Sequence, residues 1–241
     1  MLRKIAHVWP FFDIISSEEN QNIKNCLQNR NGTVMKFDID AMLSPTPVKL
    51  PQGIRVVLGS GSPRRREICA KMGLVFEVVP AECDETYDQT AVSPKNAVEL
   101  LSERKCLAVA EAVGEEALVI ASDTIVDLGG VALGKPRDEE DAMAMLRGLS
   151  GNSHFVHTGV AVAYRGKCLV SHDSTEVVFR ALTEEEMRAY AESDEPKDKA
   201  GSYAIQGKAG DFVSAVNGAF DTVVGLPSTL LAEMILKIIE E

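Results

Sequence analysis

Apolar residues in this chain follow two rhythms. Short apolar runs alternate with stretches in which apolar positions recur every three or four residues. "IRVVLG" (54–59) has the look of a short buried strand. Residues 64–73 then predict a helix with Ile68, Cys69 and Met72 on one side. "FEVVP" (76–80) reads as a second strand. Residues 95–113 predict a long helix whose inward positions include Ala97, Leu100, Leu101, Ala108 and Val109. "ALVIASD" (117–123) is the most strand-like run in the chain. Residues 138–148 give another helix, with the stripe Ala142, Met145, Leu146 and Leu149.

The second half begins with a hairpin. "FVHTGVAVAY" and "KCLVSHDSTEVVF" are β-rich and are separated by Arg165-Gly166, a tight-turn dipeptide. "TEEEMRAYAES" opens with a capping box, Thr183 with Glu186. "PSTLLAEMILKIIEE" is an amphipathic C-terminal helix. Alternating strands and helices followed by a hairpin predict a mixed α/β fold. Residues 1–52 stand apart as an N-terminal extension and Pro-rich linker, leaving a functional domain over 53–241. In the extension, 16–30 suggest a short helix: Ser16 and Glu19 have capping-box spacing, and Ile23, Cys26 and Leu27 share a face. Pro45, Pro47 and Pro51 in "LSPTPVKLPQG" favour an extended linker.

Charge narrows the partners. The net charge is −11, which argues against general affinity for nucleic acid or an anionic membrane. A polyanionic ligand would need a local basic pocket or a metal ion. Five scattered cysteines without a CxxC pair point to reduced thiols and a cytoplasmic protein. No apolar run reaches the roughly 18–20 residues of a membrane span. His7, Pro10 and Asp13 break up the N-terminal stretch, against a secretory signal; an organelle presequence stays open.

Against that acidic background, "GSGSPRRR" (59–66) is out of character. A strand ends, a Gly-Ser-Pro turn follows, and a helix begins at about Pro63, where proline suits the first turn. Arginines in a helix's first turn oppose the macrodipole, so their placement there carries a local cost. An anion at the helix start would offset it, since free N–H groups and guanidinium forks both suit phosphate. The bland alternative is a solvated basic patch. "ASDTIV" puts Asp123 at the end of an apolar strand, where α/β folds open clefts; it reads as a metal ligand or base, or as a simple turn residue. Asp84 and Glu85 in "CDET" read as a solvated loop, or with Asp123 as a hard-oxygen metal site. Lys105 and Lys135 read equally as surface lysines or cleft cations. Gly201, Gly207 and Gly210 surround Gln206, whose amide suits a nucleobase edge; the alternative is a long surface loop. Zinc fits poorly, because His154 and His157 would point to opposite faces of a strand. A serine nucleophile lacks its GxSxG setting, and Cys69 and Cys83 read as core thiols.

In order, "SGSPRR", "DET", "ERK", "SDT", "GKPRD", "LSGNSH", "SDEPKDKAGSYAIQG" and "VNGAFDTVVGLP" resemble the Maf family of nucleoside triphosphate pyrophosphatases, from about Ile54 to the last helix. The resemblance implies a Maf/ITPase-like two-lobed fold, with a mixed twisted sheet, a deep central cleft and often a homodimer. It implies hydrolysis of a nucleoside triphosphate to the monophosphate and pyrophosphate with Mg²⁺ or Mn²⁺. By motif, Ser60, Ser62, Arg64, Arg65 and Gln206 match substrate-binding positions. Asp123, Glu85, Lys105 and Lys135 match catalytic ones, with Glu85 and Asp123 holding metal. "SPRR" with "YAIQG" is similar to the branch acting on dTTP and UTP, including some modified pyrimidines. Alternatives are 7-methyl-GTP as substrate, or a non-catalytic nucleotide-binding regulator of cell division. Gly134 departs from the Glu of many members.

Overall fold

The chain leaves β1 (Arg55–Leu58) through α1 (Pro63–Lys71) into β2 (Phe76–Val78), then returns through α2 (Pro94–Val113) into β3 (Ala117–Leu128). The computed structural model describes residues 42–240. β2 and β3 flank β1 on opposite sides, both parallel to it. The chain steps from β1 to one side into β2 and then crosses back to the other side into β3, a reversal that opens a crevice at the C-terminal end of β1, the usual ligand position in such sheets. The other half is antiparallel. β5 (Ser153–Tyr164) pairs with β3, β6 (Lys167–Phe179) with β5, and β7 (Val213–Asn217) with β6. The short β4 (Val131–Leu133) pairs back on β3, completing a seven-stranded mixed sheet ordered β2-β1-β3-β5-β6-β7.

The β5–β6 turn is the predicted one. Arg165 (φ 49°) and Gly166 (φ 77°) both take the left-handed region that a two-residue hairpin loop needs. Arg165 tolerates it with its guanidinium 5.0 Å from the Tyr164 ring centre. Alternation along β5 divides the core. Val156, Val160 and Val162 join the large cluster that includes Leu231 and Ile235 of α6 (Ser228–Glu240). Ala161 and Ala163 join the smaller cluster with Cys106 and Val109 of α2. The sheet is thus covered on both faces. The capping box of α4 (Glu184–Ala191) forms as the sequence implies, with Thr183 and Glu186 bonded reciprocally. The helix α3 (Glu139–Leu149) buries Ala142, Leu146 and Leu149.

His154 and His157 do face opposite ways. His154 shares a hydrogen bond of 2.7 Å with Tyr203 and stands edge-on to Phe179. Burial lowers its pKa to about 4, so it is a neutral core residue. His157 lies between Ser174 and Asp127.

Three features differ from the sequence reading. First, Asp123 is not at a strand end. β3 continues to Leu128 because β5 pairs with it as far as Asp127. Second, 194–213 is no surface loop. It is a run of three 3-10 turns in which Gly201, Ser202, Tyr203, Ala204 and Ile205 are buried. Third, β4, β7 and the short helix α5 (Phe220–Val224) carry too few residues for a periodic signal. In the Pro-rich stretch, Leu43 and Val48 are buried in the main core, and the Val48 N–H donates to the Met72 carbonyl. The helix suggested for 16–30 lies outside the described residues.

β3 outruns β1. β1 ends at Leu58 opposite Ile120, and β4 takes up the same edge only from Val126. Between them, part of β3 faces a gap. On its other side, Asp123 is paired with Gly159 of β5. Gly159 is needed there, since a Cβ would overlap the Val98 carbonyl of α2. The glycine lets α2 lie close on the sheet and so sets the height of Lys105, two turns further along. Gly159→Ala should lower stability by about 1–3 kcal/mol, the usual cost of overpacking, measured by denaturant unfolding. An unchanged midpoint would show that α2 shifts freely.

Candidate functional site

The gap along β3 is the floor of a cleft of about 420 Å³. Its walls come from the β1–α1 turn, from the start of the segment after β2, from α2, and from the 3-10 turns after α4. Ser60, Ser62, Arg64, Arg65, Glu85, Lys105, Asp123, Lys135 and Gln206 all line it. Every site residue expected from the sequence is therefore in one place. Arg66 is exposed and outside the lining.

Each arrives by a local rule. The N–H of Ser62, at the N-cap of α1, donates to Ser60 Oγ (3.2 Å), and Pro63 occupies the first helical position. The Ser62 hydroxyl makes no cap bond of its own. The two arginines that follow have different situations. Arg65 is tied to the protein by Nε to the Gly225 carbonyl (2.9 Å), Nη1 to Ser60 Oγ (3.2 Å) and Nη2 to Thr124 Oγ1 (3.1 Å). It fastens the β1–α1 turn to β3 and to the end of α5. Arg64 makes no such bond among the described residues. Burial works against its charge and lowers its pKa, with Tyr190 acting in the opposite direction.

On the other wall, Lys105 reaches from α2 to two carboxylates. Its Nζ donates to Asp123 Oδ1 at 2.5 Å and lies 2.9 Å from Glu85 Oε2. Burial opposes the ammonium charge, but Asp123 and then Glu85 outweigh it and raise the Lys105 pKa. The Asp123 side chain is 12% exposed, whereas the Glu85 side chain is 58% exposed. Asp84, next to Glu85, spends both oxygens on the Thr86 N–H and hydroxyl, forming a turn that leaves Glu85 to face the lysine. Carboxylate oxygens thus converge where an ammonium now sits. Two hard-oxygen donors suit Mg²⁺ or Mn²⁺ with phosphate and water completing the sphere. Among the described residues no three His, Cys, Asp or Glu side chains gather as a metal cage.

The third wall is the stretch around Gln206. Tyr190 donates to Glu195 Oε1 (3.2 Å), and Glu195 Oε2 accepts the Lys208 N–H (3.2 Å). A Cβ on Gly207 would overlap the Glu195 carboxylate. The backbone around Gln206 is therefore clamped from below. Among the lining residues that sequence reading missed are Thr124 on β3 and Lys199 here. Thr124 follows Asp123 and was hidden beside it. Lys199 lies two positions from Lys197 in an acidic segment, and spacing does not separate them; Lys197 pairs outward with Asp194, while Lys199 lines the cleft.

The described thiols are not part of the site. Burial pushes Cys69 up to about 12, and none of the described cysteines lines the cleft.

A family model described as Maf-like protein matches residues 55–238. The chain belongs to the Maf family. A dTTP/UTP pyrophosphatase of Pelotomaculum thermopropionicum is 47% identical over 184 residues, covering 76% of this chain and 95% of that protein. One of Vibrio cholerae serotype O1 is 51% identical over 176 residues, covering 72% of this chain and 92% of its own. Among solved structures, a HAM1 protein from Coxiella burnetii matches with TM-score 0.41 and 12% identity, over 78% of this chain and 98% of that one. The Maf match takes in all nine residues named above. No helix among the described residues is long and apolar enough to cross a membrane.

The two arginines should separate on substitution. Arg65→Lys loses a three-way tie between elements and should cost about 1–3 kcal/mol. Arg64→Gln removes no protein contact and should leave the melting temperature near the parent's. Calorimetry on both variants decides this; equal melting temperatures would contradict the assignment of Arg65 as the fastener.

Proposed function

We propose that this Maf protein hydrolyses dTTP and UTP to the nucleoside monophosphate and pyrophosphate. The observation that carries the reading is the cleft's division into a cationic wall and a lysine-bridged carboxylate pair. The names of the two curated relatives support the choice of nucleotide.

In this reading Asp123 orients a water molecule and takes its proton. It is nearly buried, is fixed within β3 and is backed by Lys105. The water oxygen bonds to the α-phosphorus, and the bond from that phosphorus to the bridging oxygen of the leaving pyrophosphate breaks. No covalent enzyme intermediate is needed. Arg64 and Lys135 offset the charge of the departing group. Ser60 Oγ already accepts from the Ser62 N–H and from Arg65, which leaves its hydroxyl proton to donate to a phosphate oxygen. Ser62 adds a second hydroxyl beside it. Gln206 offers donor and acceptor to a pyrimidine edge from a clamped backbone. Glu85 and Asp123 would hold a divalent cation, which supplies a more acidic bound water and further charge neutralisation. Lys105, which bridges the two carboxylates, is a further cation in the cleft. We also propose a cytoplasmic homodimer with no nucleic-acid partner.

The test is product analysis with dTTP, UTP and 7-methyl-GTP side by side, in Mg²⁺ or Mn²⁺. Thymidine monophosphate and pyrophosphate are the expected products. Thymidine diphosphate with orthophosphate would contradict the bond assignment. Preferential turnover of 7-methyl-GTP would replace the substrate, and binding without any turnover would favour a regulator. Asp123→Asn should lower turnover by roughly 10²–10⁴-fold, the usual worth of a general base, while circular dichroism stays unchanged. Near-parental rates would remove Asp123 from the mechanism.

A further inference from the structure

The two carboxylates at Lys105 are delivered by unlike parts of the chain. Asp123 comes from the middle of β3, held by its pairing with β5. Glu85 comes from the connection between β2 and α2, where no helix or strand forms. Two apolar side chains seat that connection on the body. Ala81 packs against the cluster containing Cys106 and Val109, and Tyr87 against the one containing Ala97 and Leu101. Between them, Asp84, Glu85 and Thr86 are exposed. Their main chain makes no hydrogen bond to the main chain of any strand or helix among the described residues. It is held instead by Arg104 of α2, whose Nη1 donates to the Thr86 carbonyl at 2.7 Å and to the Asp84 carbonyl at 3.4 Å. We infer that Arg104 is a positioning residue for Glu85 and, through it, for the divalent cation. This inference rests on the metal reading above and adds to it a residue that lies outside the cleft lining.

Asp84 and Thr86 flank Glu85, so a guanidinium bonded to both their carbonyls fixes the chain on each side of it. A guanidinium Nη carries two hydrogens, one for each carbonyl. The Glu85 carboxylate is left to Lys105, 2.9 Å away. Arg104 and Lys105 are consecutive, and successive helical side chains diverge by about 100°. One takes the main chain of the segment and the other takes its side chain, from the same turn of α2. Gly159 seats that helix on the sheet and is also the partner of Asp123 in β5. Glu85 is thereby referred to the same frame as Asp123. Without the tie, an exposed stretch would sample many backbone states, and binding a cation there would include the cost of ordering it. Outer partners that orient a metal ligand typically account for about 10–100-fold in affinity. The charge of Arg104 acts in the opposite direction. A fixed cation near the site repels another, so its removal would by charge alone tighten metal binding. The sign of the effect therefore separates orientation from field.

The probe is Mn²⁺ alone, titrated into the whole protein and followed by the electron paramagnetic resonance signal of the free ion. Arg104→Ala should weaken binding about tenfold. Arg104→Lys should recover part of the loss, since an ammonium still donates to a carbonyl. In a Glu85→Gln background, Arg104→Ala should add little, because the group it orients is already gone. Arg66→Ala, at an exposed position outside the cleft, should bind like the parent. Hydrogen exchange over residues 82–88 gives a readout that needs no metal. It should quicken about tenfold in Arg104→Ala, as a local tie is lost, with the melting temperature near the parent's. Parental exchange in Arg104→Ala would overturn the inference. So would Mn²⁺ affinity equal to the parent's or tighter, or a full further loss in the Glu85→Gln background. The two readings fail separately. Faster exchange in Arg104→Ala, with no Mn²⁺ bound by the parent, sinks the metal reading and leaves Arg104 as the residue that positions Glu85. Mn²⁺ binding and dTTP turnover that are both indifferent to Arg104 sink only the positioning role.

Discussion

A strand cannot be longer than its neighbour without leaving an edge open, and β3 is longer than β1 at the end where the connections diverge. β1 stops opposite Ile120, and β4 joins only at Val126. The cleft is that missing stretch of neighbour. The β1–α1 turn rises where β1 would have continued. Arg65 then joins that turn to Thr124 on the exposed edge and to Gly225 beyond it. β5 keeps the overhanging part of β3 straight by pairing along its whole other side. Without that pairing the overhang would be a loop, and Asp123 would have no fixed direction.

The two faces of the overhang do different things. Successive side chains on a strand alternate. Asp123 points with Val119 and Ala121 toward α2, where Lys105 meets it. Thr124 points the other way, to Arg65 and Thr158. One backbone edge thus receives an acidic cluster from one layer and a guanidinium from the other. Because both layers are anchored in separate hydrophobic clusters, the opposite charges are kept apart by packing rather than collapsing onto one another.

Much of this was legible in the sequence. Long amphipathic or alternating segments such as α2, β5 and β6 lie within about a residue or two of where their periodicity put them. The arginines after the Gly-Ser-Pro turn drew notice because they oppose a helix dipole in an acidic chain. What was not legible depends on partners distant in the chain. Whether β3 ends at Asp123 or runs to Leu128 is decided by β5, about thirty residues later. Neighbouring arginines look alike in a string, yet Arg65 finds Gly225 and Thr124 while Arg64 finds neither. The stretch 194–213 is rich in glycine and charge, which locally favours loop. It is ordered by Tyr190 and Glu195, whose bonds to it carry no periodic signature.

That last stretch has a consequence for recognition. A wall of glycines ordinarily has to be frozen when a ligand arrives, and the lost freedom subtracts from affinity. Here the freezing happens during folding. Glu195 occupies the space a side chain at Gly207 would need, and Ser202 holds a left-handed backbone (φ 61°) with its hydroxyl on Met145. A ligand set against Gln206 meets a template rather than a flexible flap. Such a surface discriminates by what fails to fit, since it has little freedom to remodel itself around a larger ring.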